Sequence, residues 1–193
     1  MKIDIDVPNG ESGKWSVNEI TVNENDSMMS SLRCNSRYIP VGIYKTLNNQ
    51  YGVMMSNIPA EISDHLPFIS NATGHVLING LGLGMCIKAI VDRPEVTKIT
   101  VIEKSEDVIK LVAPTYEKYN KVEIICADAF TYEPPKGVRY GAVWHDIWQD
   151  ICTDNLEQMK KLHRKYSRKT DWQGSWSRSL CEYYKKREKK RYY

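Results

Sequence analysis

The chain has 193 residues, of which 41% are hydrophobic, and a formal net charge of +3. This length is enough to bury one core without a disulfide or a metal, so we expect one main domain with an appendage. The five cysteines are odd in number and none has Cys-X-X-Cys spacing, which excludes a recognisable disulfide or zinc framework, and no metal site is predicted. No stretch reaches membrane-spanning length and the first residues lack the apolar part of a signal peptide, so we expect a cytoplasmic protein without membrane contact.

The charge is unevenly distributed along the chain. Residues 151–193 contain 13 Lys and Arg against 5 Asp and Glu, a net charge of +8, whereas residues 1–150 contain 14 against 19, a net charge of −5. A basic segment attracts polyanions, and aromatic side chains among the charges can stack on bases. Charge runs of this kind usually form a solvated helix that only aids solubility, and nucleic acid is the alternative partner of residues 160–191. The aromatic residues concerned are Trp172, Trp176, Tyr183, Tyr184, Tyr192 and Tyr193.

Residues 1–73 are predicted to form a small β-hairpin region. Segments 14–22, 38–47 and 51–55 alternate apolar and polar residues or contain β-branched residues, which is typical of strands. Polar residues at 23–26 and 48–50 predict turns between them. Asn57 as the N-cap and Pro59 in the first turn then predict a short helix that ends near Ile69.

Residues 74–150 alternate between predicted strands and predicted helices. Strands are predicted at 76–79, 98–103, 122–126 and 140–146. Helices are predicted at 85–92 and from Ser105, as N-cap, to about Tyr119, with an interruption at Pro114. Strands that alternate with crossover helices form parallel sheets with right-handed connections. The sequence therefore predicts an α/β fold with a Rossmann-like parallel sheet and flanking helices.

Residues 151–193 are predicted to form a basic helical tail. Helices are predicted at 155–166, with Asp154 as N-cap, and at 177–191, with 171–174 interrupting them. No strand pattern is seen beyond Asp150, so the sheet is expected to be truncated at its C-terminal strands. Three ways to complete it are the N-terminal hairpins, a partner chain in a homo-oligomer, or an exposed edge that another segment covers.

A glycine or an acidic residue stands at the carboxyl end of each of the four predicted strands, either as its last residue or just after it. In chain order these residues are Gly80, Gly82 and Gly84, then Glu103, Asp128 and Asp146. In a doubly wound sheet the ligand lies at the carboxyl ends of the strands, and a carboxylate after the second strand can accept both hydroxyls of a ribose. A dinucleotide fingerprint would need a third glycine at position 85, where the chain has Met85, so the pattern disfavours NAD.

Four stretches carry these residues in recognisable motifs: VLINGLGLG at 76–84, VIEKS at 101–105, CADAF at 126–130 and VWHDI at 143–147. Over residues 74–150 the chain thereby resembles the class I S-adenosylmethionine-dependent methyltransferases, and within them the spermidine-synthase-like branch. Residues 55–61 and 144–148 also resemble short methyltransferase-like proteins of phages. The resemblance implies S-adenosylmethionine as the cofactor and transfer of its methyl group to an unidentified acceptor.

The resemblance also implies roles for individual residues. Those implied to bind the cofactor are Gly80, Leu81, Gly82, Gly84, Glu103, Lys104, Asp128 and Ala129. The glycines would pass under its amino-acid and ribose parts, Glu103 would hold the ribose, and Asp128 with Ala129 would recognise adenine. Asp146 would face the reactive sulfonium and is the first candidate for a catalytic base.

His145 is the second candidate for a catalytic base, because an imidazole titrates near neutral pH and the neighbouring Asp146 could orient it. Adjacent residues of a strand point to opposite faces of the sheet, so the two side chains need not share a site. For Asp146 the alternative is a helix cap or a surface acid that follows a buried strand.

Two departures from the family pattern bear on the reaction. Ile78 stands where most of these methyltransferases have an acid, but spermidine synthases lack that acid too, so cofactor binding is still expected. Gly82 stands where spermidine synthases have an aspartate that holds cofactor and amine, which counts against aminopropyl transfer. The alternatives to a methyltransferase are therefore an aminopropyltransferase, or a non-catalytic module of this fold that binds nucleic acid through its basic tail.

Overall fold

The computed structural model describes residues 2–33 and 37–191, which form an antiparallel sheet of four strands and a parallel sheet of five. Cys34, Tyr192 and Tyr193 lie outside the described residues. The antiparallel sheet contains β1 (Gly10–Ser12), β2 (Trp15–Val22), β3 (Gly42–Asn49) and β4 (Gly52–Ser56), in that order. The strands predicted at 14–22, 38–47 and 51–55 are thus confirmed, with the middle one starting later.

One segment of this region differs from its prediction. Residues 23–26, predicted as a turn, open a helix, α1 (Glu24–Arg33). The Asn23 Oδ1 accepts a hydrogen bond from the Asp26 amide at 3.0 Å, and the Asp26 Oδ2 accepts one from the Asn23 amide at 3.3 Å. This reciprocal pair is a capping box, and the same polar residues that favour turns also favour helix starts.

The next helix, α2 (Pro59–Asn71), begins one residue after Ile58 and carries Pro59 in its first turn, as expected. Asn57 is not its cap. The Asn57 side chain instead accepts a hydrogen bond from the Lys45 amide at 2.8 Å and donates one to the Ile3 carbonyl at 3.0 Å. It therefore ties β3 to the N-terminal segment, a long-range contact that capping preferences do not encode.

The parallel sheet has the strand order β7-β6-β5-β8-β9. Its strands are β5 (Gly74–Asn79), β6 (Val96–Glu103), β7 (Val122–Cys126), β8 (Tyr140–His145) and β9 (Thr170–Ser175). The remaining helices are α3 (Met85–Ile90), α4 (Glu106–Tyr116), α5 (Asn155–Tyr166) and α6 (Arg178–Arg191). The predicted α/β fold with a Rossmann-like parallel sheet is confirmed, and the strand order reverses between β5 and β8, where such sheets bind ligands.

The prediction that no strand follows Asp150 is wrong. Residues 171–174, predicted as an interruption, lie inside β9, which pairs with β8 from Tyr140 opposite Thr170 to His145 opposite Ser175. The Trp172 and Trp144 rings stack with centroids 6.2 Å apart. Because β9 is a polar edge strand stabilised by its neighbour, its own residues carry little strand signal. The chain itself thus supplies a fifth strand, and the N-terminal hairpins form a separate sheet.

Helices cover both faces of the parallel sheet. Val76 and Ile78 pack in a buried cluster with residues of α2, α3 and α4, whereas Leu77 packs with Leu162 and Tyr166 of α5. This alternation follows from the two-residue period of a strand. It assigns each residue of the central strands to one face or the other.

Two predicted helix caps have different outcomes. The Ser105 Oγ accepts a hydrogen bond from the Val108 amide at 3.3 Å at the start of α4, as predicted. Asp154 stands at the N-cap position of α5 but its side chain makes no capping hydrogen bond.

Within the described ranges, none of the helices has the length and apolar character needed to cross a membrane.

Candidate functional site

The glycine turn after β5 has a left-handed backbone at all three glycines, with φ of 100° at Gly80, 51° at Gly82 and 71° at Gly84. A Cβ on Gly84 would overlap the Tyr116 ring, whose hydroxyl donates a hydrogen bond to the Leu83 carbonyl at 2.9 Å. Side chains other than glycine are strained in this backbone region. The turn is therefore held in one shape by the core beneath it.

A cavity of about 380 Å³ lies beside this turn, at the carboxyl ends of the parallel strands. We call it the first cavity. Its lining includes seven of the residues proposed from the sequence: Gly80, Gly82, Glu103, Lys104, Asp128, Ala129 and Asp146. Leu81 and Gly84 belong to the turn but not to the lining. The fold thus collects at one place residues from four different strand ends.

Glu103 is fixed by the backbone around the first cavity. Its Oε2 accepts a hydrogen bond from the Leu81 amide at 2.9 Å, and its Oε1 accepts one from the Ser105 amide at 2.8 Å. Each carboxylate oxygen can accept a second hydrogen bond. Glu103 is therefore an oriented acceptor that can hold two hydroxyl groups.

Asp128 lies across the first cavity from the glycine turn. The Asp128 Oδ1 accepts a hydrogen bond from the Phe130 amide at 2.8 Å, and its Oδ2 pairs with the Lys104 Nζ at 2.8 Å. The Lys104 ammonium holds the pKa of Asp128 below its usual range. Ile102, Ala129 and Phe130 provide apolar surface beside this polar pair.

Asp146 directly follows β8 and its side chain is 11% exposed. Its carboxylate accepts no hydrogen bond from any residue that the structure describes, and the nearest imidazole nitrogen, His65 Nε2, is 3.7 Å from Oδ2. Burial, with further contributions from the carboxylates of Glu61, Asp64 and Glu103, raises the pKa of Asp146 to about 7. At neutral pH this group can therefore both give and take a proton.

His145 does not reach the first cavity. Its ring contacts His163 and Tyr166 of α5. The Asn79 Nδ2 of β5 donates to its Nδ1 at 2.7 Å, and its Nε2 contacts the Gln173 Oε1 of β9 at 3.5 Å. Burial lowers the pKa of His145 to about 3. The structure thus separates His145 from Asp146, as the alternation along β8 requires, and offers no route for His145 to act as a base on a ligand in the cavity.

The N-terminal sheet supplies cavity residues that the sequence did not indicate. Trp15, Leu47, Met54 and Met55 line the first cavity. The Met55 sulfur lies against Gly82 and accepts a hydrogen bond from the Leu83 amide at 3.2 Å. Nothing in the local pattern of β4 signals this contact, because it depends on how the two sheets pack.

A second cavity, of about 330 Å³, adjoins the first. The two share Met54, Met55, Asp146, Trp148 and Gln149 in their linings. From α2, Glu61 and His65 face the second cavity only. Their spacing of four residues on a helix, an acid and an imidazole on one face, is the signal that could have indicated them.

No group of three or more His, Cys, Asp or Glu side chains within residues 2–33 and 37–191 is arranged to hold a metal ion. Cys86 and Cys181 are buried free thiols, and Cys126 and Cys152 are exposed free thiols.

No protein-family model and no curated protein matches the chain. Solved structures with similar folds include the N-methyltransferase NodS from Bradyrhizobium japonicum WM9, with 12% identity and a TM-score of 0.44 over 56% of this chain and 60% of NodS. The 23S rRNA methyltransferase ErmE has 17% identity and a TM-score of 0.44 over 59% of this chain and 43% of its own. The CcbJ methyltransferase from Streptomyces caelestis has 14% identity and a TM-score of 0.46 over 58% and 46%.

The matched region spans less than two thirds of each of these three structures. At these identities and scores the similarity is to parts of the fold, and it assigns no residue, ligand or reaction to this chain.

Proposed function

We propose that the protein binds S-adenosylmethionine in the first cavity and transfers its methyl group to an acceptor. The observation that carries the proposal is the position of Glu103, a carboxylate held by two backbone amides beside a left-handed glycine turn at the carboxyl ends of a parallel sheet. A turn and an acid in this arrangement suit a ligand that has a ribose and a chain lying along the backbone.

The other lining residues fit the same ligand. A volume of about 380 Å³ lies within the usual range for small-molecule sites. Ile102, Ala129 and Phe130 offer apolar contact for a base, and Asp128 offers carboxylate oxygens beside them. Glu103 offers acceptors for the two ribose hydroxyls. The residues present therefore suit the adenine and ribose parts of S-adenosylmethionine.

The bound cofactor would supply a methyl group already activated by a sulfonium. The protein itself then has to position the acceptor, exclude water from the site, and accept a proton if the acceptor carries one. Asp146 is suited to take that proton, because it lies between the two cavities and burial raises its pKa to about 7.

Methyl transfer is preferred to aminopropyl transfer because of Gly82. The resemblance to spermidine synthases would require an aspartate at this position. A side chain there would meet the Met55 sulfur and would have to adopt a φ of 51°. With Gly82 at this position the chain lacks the acid that aminopropyl transfer is expected to use.

Calorimetry of S-adenosylmethionine binding tests the proposal. We expect Glu103→Ala to weaken binding by about 1–3 kcal/mol, because hydroxyls of the ligand lose their acceptor. Glu133→Gln is the matched control, since Glu133 is an exposed acid that contacts Lys165 and lies outside the lining of the first cavity. Circular dichroism confirms that each variant is folded. If the wild type shows no binding at millimolar cofactor, the proposal is wrong.

A second candidate function is binding of single-stranded nucleic acid on the surface formed by α5 and α6. Two shallow grooves there have six cationic side chains and one acidic side chain, Glu182, in their linings. The cations are Lys160, Lys161, Lys165, Arg178, Lys185 and Lys186. Phe130, which is 37% exposed, belongs both to one of these grooves and to the first cavity. An exposed aromatic ring among cations is the arrangement that binds a backbone and stacks on a base.

A further inference from the structure

The second cavity contains a buried polar side chain with an unused nitrogen. His65 is 1% exposed and its Nδ1 lies 3.5 Å from the Cys86 sulfur, but its Nε2 has no hydrogen-bond partner among the residues that the structure describes. Burial lowers the pKa of His65 to about 4, so the ring is neutral. A buried polar atom without a partner is costly unless a ligand or water satisfies it.

The unused nitrogen faces a second group in the same condition. The His65 Nε2 and the Asp146 Oδ2 are 3.7 Å apart, which is too far for a hydrogen bond between them. One polar atom placed beside the pair, about 2.8–3.0 Å from each, could bond to both. Since both residues line the second cavity, a ligand there could present its reacting atom to the pair, next to the first cavity.

The charged side chains around this pair determine which ligand charge the second cavity favours. The lining of the second cavity contains the carboxyl groups of Glu61, Asp146 and Asp150 against one guanidinium, that of Arg37. Arg37 is already paired with Asp64 at 2.7 Å. This excess of acidic groups favours a cationic ligand.

Glu61 contributes a buried carboxyl group to the second cavity, and aromatic rings complete the surface. Burial raises the pKa of Glu61, and the hydrogen bonds that its carboxylate accepts from the Ser56 amide at 2.6 Å and the Ser56 hydroxyl at 2.9 Å oppose this rise by stabilising the charged form. Trp148 and Trp176 also line the second cavity, and tryptophan faces attract cations.

We propose that the second cavity is the acceptor site and that the acceptor is a small amine, whose nitrogen contacts both Asp146 and His65 from the cavity. This inference rests on the proposed methyltransferase function. An amine suits the site better than an alcohol, because an alkylammonium gives up a proton to a carboxylate far more readily than a hydroxyl group does.

The transfer step balances with the groups named. The bound ammonium gives one proton to the Asp146 carboxylate. The freed lone pair on nitrogen forms the nitrogen–carbon bond while the bond from the methyl carbon to sulfur breaks, and that electron pair stays on sulfur. The products are the methylated ammonium and S-adenosylhomocysteine.

Calorimetry without cofactor tests the site directly, with 2-phenylethylamine, 2-phenylethanol and 3-phenylpropionate as matched cationic, neutral and anionic probes. We expect the amine to bind about tenfold or more tightly than the alcohol, and the carboxylate to bind most weakly. Glu61→Gln should weaken binding of the amine about fivefold and leave that of the alcohol unchanged. Arg37→Gln should tighten binding of the amine, a change that misfolding cannot produce. Glu133→Gln, outside the cavity, should change neither.

Transfer of labelled methyl from S-adenosylmethionine to 2-phenylethylamine tests the chemistry. Asp146→Asn should lower the rate by about 100-fold or more. If the cofactor binds but the amine does not bind at millimolar concentration, or binds no better than the alcohol, the acceptor proposal fails and the methyltransferase proposal stands. If calorimetry shows no cofactor binding, both fail.

Discussion

At the scale of single residues, Asp146 is the most unusual group in the described part of the molecule. It joins the two cavities, its side chain is 11% exposed, and three other carboxylates act on it. Proteins rarely bury an acid in this way without a partner unless function requires it. The effect of the ionised Asp146 carboxylate on the free energy of unfolding can be measured separately from any activity.

The pH dependence of stability should reveal that effect. The pKa of Asp146 is about 7 in the folded chain against an ordinary 3.8, so the unfolded chain loses this proton at lower pH. Ionisation therefore destabilises the fold progressively as the pH rises from about 4 to 7. We expect Asp146→Asn to be more stable than the wild type by on the order of 2–4 kcal/mol at pH 8, and equally stable near pH 4.

Denaturant unfolding at pH 4 to 8 measures this difference. Asp154→Asn is the control, because Asp154 is exposed and makes no capping hydrogen bond. A stability difference for Asp146→Asn that stays constant over this pH range would contradict the raised pKa.

At the scale of elements, the contact between β4 and the glycine turn links the two sheets. Met55 of β4 lies against Gly82, and the Leu83 amide donates to its sulfur. At the other end of the antiparallel sheet, the Ser12 hydroxyl donates to the Asp107 carboxylate of α4 at 2.7 Å. The N-terminal sheet therefore contacts the glycine turn and α4, and its Trp15, Leu47, Met54 and Met55 line the first cavity.

Alanine substitutions should separate backbone strain from this contact. Gly137 has a φ of 79°, and no other atom lies within 4 Å of the position that a Cβ would take there. Gly137→Ala should therefore lower the free energy of unfolding only by the strain of the left-handed backbone, about 1–2 kcal/mol. Gly82→Ala should cost more, because its Cβ also meets Met55. In a Met55→Ala background the cost of Gly82→Ala should fall to that of Gly137→Ala. Denaturant titrations measure these three costs, and an unchanged cost of Gly82→Ala in the Met55→Ala background would show that Met55 does not press on the turn.

At the scale of the whole molecule, the charge is separated into an acidic and a basic part. The second cavity has an excess of carboxyl groups, whereas the grooves on α5 and α6 have an excess of cations. Because Gln158 of α5 lines both the first cavity and one of the basic grooves, a polyanion on that surface would pass the opening of the cavity.

Salt dependence tests the basic surface. We expect a 20-nucleotide oligothymidylate to bind, measured by fluorescence anisotropy, with log affinity falling linearly with log salt at about −0.7 for each phosphate contacted. Replacing Lys185 and Lys186 by alanine should reduce the slope by about 1.4. Lys98→Ala should not change it, because Lys98 pairs with Glu123 at 2.7 Å, away from the grooves. Binding that is absent at low salt, or independent of salt, would rule this function out.

Much of the parallel sheet was predictable from local pattern. The strands at 76–79, 98–103, 122–126 and 140–146 have continuous apolar or β-branched residues, and β5, β6, β7 and β8 lie at these positions. β9 was missed because it is a polar edge strand whose stability comes from β8. α1 was missed because a capping box and a polar turn use the same residue types.

Some residues of the candidate site were also predictable from the sequence, and others were not. Glycines and acids at strand ends were visible in the sequence, and parallel strands bring their carboxyl ends to one edge of the sheet. The opposite orientation of His145 and Asp146 followed from the period of a strand. The positions of Glu61, His65 and Met55 at the cavities were not predicted, because each reaches them from an element outside the predicted core, although the four-residue spacing of Glu61 and His65 was a signal.

By itself, the sequence determined the parallel sheet, the glycine turn and the carboxylates that line the first cavity. All three depend on hydrophobic period and backbone preference, which act over a few residues. Only the tertiary structure decided that the N-terminal sheet covers the turn, that β9 extends the sheet, and that Asp146 faces His65 across 3.7 Å. These features depend on which surfaces pack together, and packing joins residues that are far apart in the chain.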